Sequence, residues 1–152
     1  MRLARSAAWA SILLLGGSRI AAQSVIIRNT TPSVVLAHLK GHLVSQGFAL
    51  ESANDKVAMF TFDRGPVAQN SSRVLVVDVI LEVQFRFKAK SEGLSVVATE
   101  EAVGNRGRPF EFRKMVDSAH DSLQRLLDGI RAEIDSGVPP ADSTAKRDSS
   151  PP

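Results

Sequence analysis

Between Leu75 and Ala89 every odd position is apolar: Leu75, Val77, Val79, Leu81, Val83, Phe85, Phe87 and Ala89. The even positions Asp78, Glu82, Gln84, Arg86 and Lys88 are polar, while Val74, Val76 and Ile80 are not. Successive side chains of a strand point to opposite faces. The pattern therefore predicts one long strand with one face on a core and the other towards water. At about 3.3 Å per residue, a straight strand of this length overshoots a small domain, which predicts curvature or a bulge.

Other elements gather around this strand. Val25, Ile26 and Ile27 form a short apolar run that reads as a first strand. Thr30 or Thr31 can cap a helix and Pro32 suits its first turn. Val35, Leu36, Leu39 and Leu43 then share one face at helical spacing, and Gly47 stops the run. Residues 48–52 and 57–63 read as strands joined by the turn Ala53-Asn54-Asp55-Lys56, since Asn and Asp tolerate the left-handed conformation. Residues 64–72 read as a loop. Ser91-Glu92-Gly93 reads as a hairpin, with residues 94–103 running back. Pro109 is expected to open a helix over residues 109–136, with Phe112, Met115, Val116, Ala119, Leu123, Leu126, Leu127, Ile130 and Ile134 in one broad stripe.

The fold class that follows is α+β. A single domain is expected, a curved antiparallel sheet in the order β-α-β-β-β-β-α packed against two helices, the C-terminal one long. On that element order, on the strand over residues 73–90 and on the helix over 109–136, residues 24–136 resemble TATA-binding-protein-like and helix-grip domains of exported bacterial proteins. Members of those groups bind DNA, lipids or other proteins, and such architectures host unrelated functions.

The two ends carry no core. Arg2 and Arg5 precede an apolar run from Ala7 to Gly17, about a dozen residues, the length of a signal-peptide h-region and short for a bilayer span. Small residues follow, so residues 1–22 read as a bacterial signal peptide cut after Ala22, with Ser24 as a nearby alternative. The expected destination is the periplasm or the outside of the cell, with no transmembrane segment after cleavage. Residues 137–152 are rich in Pro and Ser and read as a disordered tail. The expected domain is residues 23–136.

Charge and composition narrow the function. The chain has 19 Lys and Arg against 16 Asp and Glu. Arg2, Arg5 and Arg19 lie in the leader, where no acid does, so the remainder is balanced at 16 of each. A nucleic-acid partner draws on a basic surface excess, and this chain beyond its leader has none overall. There is no Cys, which excludes disulfides, thiol catalysis and Cys-ligated metals. There is no Tyr, and the one Trp, Trp9, is in the leader.

No residue set suggests catalysis. His38 and His42 stand four apart on the first helix, a spacing that can clamp a metal. Leu39 holds the place where a zincin needs Glu, so both are expected as half-covered edge residues and no metal is expected. Ser118, His120, Asp121 and Ser122 are too close in sequence for a triad on one helix. Glu100 and Glu101, consecutive in a strand, should face opposite sides. No cofactor motif appears.

Two binding surfaces can be named. Arg106, Arg108 and Arg113 surround a glycine-containing stretch ahead of the expected last helix, and can hold an anionic ligand at its N-terminus. Val74, Val76 and Ile80, apolar on a polar face, can form an interaction face. The function expected is that of a non-catalytic exported binding or envelope-associated protein, acting as a protein-interaction module or homo-oligomer. The alternative is a carrier of a small apolar or anionic ligand. In that case Phe60, Phe62, Phe85, Phe87 and Met115 line a sheet–helix cavity rather than fill it. A hydrolase is the remote third reading.

Overall fold

The computed structural model describes residues 22–70 and 74–141. The expected signal peptide lies outside the described residues apart from Ala22, as does the tail beyond Ala141. The chain folds as β1 (Gln23–Ile27), α1 (Pro32–Ser45), β2 (Ala49–Ala53), β3 (Val57–Asn70), β4 (Val74–Lys90), β5 (Gly93–Gly104), β6 (Phe112–Met115), a single 3-10 turn (Asp117–Ala119) and α2 (His120–Asp135). The sheet is curved and antiparallel, in the order β1-β5-β4-β3-β2, and β6 adds to β5. The fold is α+β, as the alternation and helical stripes imply.

From Val83 to Phe87 the apolar alternation of β4 does what the pattern demands. Val83 and Phe85 are fully buried and Phe87 nearly so. They meet Val96 and Ala98 of β5, Phe60 of β3, and the stripes Val35-Leu39-Leu43 of α1 and Leu123-Leu127-Ile130 of α2. Phe60 and Phe85 meet edge to face, with ring centroids 5.9 Å apart. Both fill the core rather than line a cavity. Thr31 caps α1, its hydroxyl accepting from Val34 N, and Pro32 takes the first turn.

Two expectations change. The loop expected at residues 64–72 is strand as far as Asn70, paired with β4 up to Val74. A bulge between Asp63 and Gly65 admits it. Gly65 takes a positive φ of 72°, open to glycine at little cost, and donates its N–H to Asp63 Oδ1. Pro66 follows where β3 has run past β2, on a free edge that needs no N–H from it.

The last helix starts at His120 rather than Pro109, and residues 112–115 are strand. Phe112 and Met115 fit a helical stripe in sequence. The deciding demand is elsewhere. β1 pairs only residues 94–98 of β5, which leaves residues 101–104 with an open edge. β6 satisfies those backbone groups, Glu101 opposite Met115 and Gly104 opposite Phe112. A Cβ at Gly104 would collide with the Phe112 ring, so the glycine is what lets β6 seat.

The tail expected from residue 137 onwards is described as far as Ala141. It has no regular structure there and lies against Gly41 of α1. Among the described residues no helix is long and apolar enough to cross a membrane.

Candidate functional site

β4 is longer than its neighbour. Val57, the first residue of β3, pairs with Arg86, so residues 88–90 of β4 pair with β5 alone. The free edge, the β2–β3 turn and the start of α1 enclose a groove of about 870 Å³. Pro32, Val57, Phe87, Ala89 and Leu94 give it apolar walls. Lys56, Arg86, Lys88 and Lys90 stand at it with one acid, Asp55. All four cationic residues are exposed, and none is ion-paired to another described residue. Thr31 and Pro32 bring the first turn of α1 to the wall, and that turn holds no acidic residue. In the wall, Thr30 Oγ1 is buried without a hydrogen-bond partner among the described residues. The groove therefore joins apolar surface to a surplus of positive charge, four cations against one acid.

The sequence marks Arg86, Lys88 and Lys90 as a basic stripe on the solvated face of the strand. What it misses is the overshoot of β4, because strand register is a pairing property. The nearest signal was Lys56 in the turn that pairs beside Arg86.

The arginines expected to hold an anion are instead committed to carboxylates of this chain. Arg113 Nη1 donates to Glu82 Oε2 at 2.8 Å and to Glu101 Oε2 at 3.3 Å, and its Nε donates to Glu111 Oε1 at 3.0 Å. Arg106 Nη2 donates to Glu51 Oε1 at 2.6 Å, and Arg108 Nη1 to Asp78 Oδ2 at 3.1 Å. Arg106 Nε lies 2.7 Å from Glu82 Oε1. Its N–H is not directed at that oxygen, which has charge contact but no hydrogen bond. Three arginines thus meet five acids. The helix expected behind them starts at His120, so no helix N-terminus adds to their field. Hydrogen bonds from Arg113 to Glu82 and then Glu101 raise the guanidinium's affinity for its proton still further.

Glu82 is the unexpected member. The alternation puts it on the water-facing side of β4, yet it is only 4% exposed. The segment after β5 folds over that face and brings Arg106 and Arg113 to it. Of the expected interaction face, the side chains of Val74 and Val76 lie outside the described residues. Ile80 is half-buried, in register with Asp63 and with the fully buried Val103.

The two α1 histidines are not both edge residues. His38 is 2% exposed, and its Nδ1 is 2.8 Å from Glu133 Oε2 of α2. His42, half-buried, places Nε2 2.8 Å from Glu133 Oε1. One carboxylate thus ties both histidines and both helices. No group of three or more His, Asp or Glu among the described residues is arranged to hold a metal ion.

Burial alone would push the Glu133 carboxyl up, but hydrogen bonds from His38 and His42 outweigh it and hold the carboxyl below its ordinary value of 4.5. A carboxyl depressed in the folded state stabilises the fold above its unfolded value and loses that contribution as pH falls through the folded one. Glu133→Gln is therefore expected to lower the melting temperature at pH 7 and to narrow the gap from wild type below pH 4. Equal melting curves at pH 7 would show that the clasp contributes nothing. No family model matches the chain, and no curated protein is significantly similar to it.

Proposed function

We propose that this is an exported, non-catalytic binding protein whose groove at the β4–β5 hairpin takes a small ligand with an apolar body and an anionic group. The observation that carries the reading is the groove itself: apolar walls beside Lys56, Arg86, Lys88 and Lys90, none of them in an ion pair with another described residue, against the single acid Asp55. Its volume of about 870 Å³ suits such a ligand, since ligand sites usually span about 300–1,000 Å³. The arginine cluster at Arg106, Arg108 and Arg113 has no comparable surplus of charge. Export rests on the apolar leader with Arg2 and Arg5 ahead of it.

Titration with a dansylated undecanoic acid tests this. Saturable fluorescence enhancement is expected, displaced by dodecanoate and weakly by dodecyltrimethylammonium. Lys88→Glu with Lys90→Glu is expected to weaken binding by about tenfold or more, as two reversed contacts of about 1 kcal/mol each imply. Added salt should weaken it too, since the cations are exposed. Wild-type affinity in the double variant would sink the reading.

A second reading, a protein-interaction module or homo-oligomer, is favoured by Phe110. Its ring is 91% exposed and its backbone stands at φ 66°, a conformation that costs a bulky residue energy. If Phe110→Ala left oligomeric state and co-purifying proteins unchanged, that reading would lose its support.

A further inference from the structure

Another concavity lies on the helix side of the sheet, at its other end. α1 ends at Ser45 and α2 begins at His120, and the sheet between those ends is open. A cleft of about 410 Å³ forms there. Phe48, Phe62, Leu81 and Val116 supply apolar wall, and the two phenylalanine rings are in contact, 5.3 Å between centroids.

Two charged residues line this cleft, Glu100 of β5 and Arg64 of β3. Glu100 is anomalous in its place. Its strand alternates Val96, Ala98, Glu100, Ala102 on the face that packs towards the helices. The carboxyl is half-buried and makes no hydrogen bond or ion pair with another described side chain. Arg64 acts on it through space without touching it. Glu101, one residue on, faces the other way and is paired with Arg113. Glu100 has been left alone where its neighbour has not.

An acid and a base that share a small cleft but stay apart are complementary to a ligand carrying both charges. We infer that this cleft binds a zwitterion of free-amino-acid size, its ammonium on Glu100 and its carboxylate on Arg64. The side chain of the ligand lies against Phe48 and Phe62, whose ring faces also favour a nearby cation. Ser122 Oγ already donates to Ala119 O, so its oxygen remains available as an acceptor for a second ammonium proton. A volume of 410 Å³ is at the small end for ligand sites, which suits one amino acid better than a peptide.

A half-buried Glu100 carboxylate should be costly to the fold. Burial pushes the Glu100 carboxyl up, and the pull of Arg64 only partly offsets this. A carboxyl with a raised folded pKa contributes stability at low pH and loses it as pH rises through that value. At pH 7 an unliganded Glu100 therefore opposes folding, and a bound ammonium removes the penalty.

The test is calorimetric titration of the purified protein with each of the common L-amino acids, followed by the best binder's N-acetyl and amide derivatives. At least one amino acid is expected to bind saturably, and blocking either of its charges should weaken binding by tenfold or more. Glu100→Gln should do the same while raising the ligand-free melting temperature at pH 7, and Arg64→Ala should weaken binding as much. A cooperative melting transition in each variant reports that it is folded. No saturable binding across the whole set would overturn the inference, as would a blocked derivative that binds as well as its parent.

Discussion

Replacing Phe85 with alanine is expected to remove about 4 kcal/mol of stability, roughly 15 °C in melting temperature for a domain of this size. Phe85 is fully buried at the centre of β4, with its edge-to-face partner Phe60 on β3. Truncation loses the transfer energy of the ring and leaves a cavity, because two strands and two helices fix the surrounding side chains. A domain of about this length has only about 5–15 kcal/mol in total, so the variant should be near the limit of folding. Phe85→Leu keeps most of the volume and is expected to lose less than half as much. Urea denaturation measures both. If Phe85→Ala lost under about 1 kcal/mol, the core would not be packed around this ring.

The second large effect is an asymmetry. Removing both Arg106 and Arg113 as alanines is expected to cost about 2 kcal/mol, because it strands the buried Glu82 carboxylate. The full value for a buried pair does not apply, since the side chains of Arg106 and Arg113 are 31% and 47% exposed and water screens them. Glu82→Gln alone should cost less, because the two arginines keep Glu51, Glu101 and Glu111 and can reach water. The informative variant is the triple one. Adding Glu82→Met to the arginine pair should recover at least half of the loss, since the stranded charge is gone. If Glu82→Met deepened the loss instead, the carboxylate would be stabilising the face by some means other than its arginines.

The same residues separate what was legible in the sequence from what was not. The strand over Leu75 to Ala89, the stripe Val35-Leu39-Leu43, a cap at Thr30 or Thr31 and the opposed faces of Glu100 and Glu101 follow from local geometry. A period of 2 or 3.6 is set by the backbone itself, so a sequence pattern suffices. The α+β class follows from these periods and their order.

Local periodicity does not decide where a backbone finds its partner. Phe112 and Met115 suit a helix or a strand, and the open edge of β5 made them strand. Glu82 has the position of a solvated residue in its own strand, and a later segment buried it. His38 and Glu133 are 95 residues apart, and only the meeting of α1 and α2 joins them. The groove exists because β4 outruns β3, and the Glu100 cleft because two helices end before the sheet does. Pattern in the chain determined the elements and their buried faces, which depend on residues a few positions apart. Tertiary structure decided which charges are cancelled and which are left facing a cavity, because that depends on distances between residues the chain order keeps far apart.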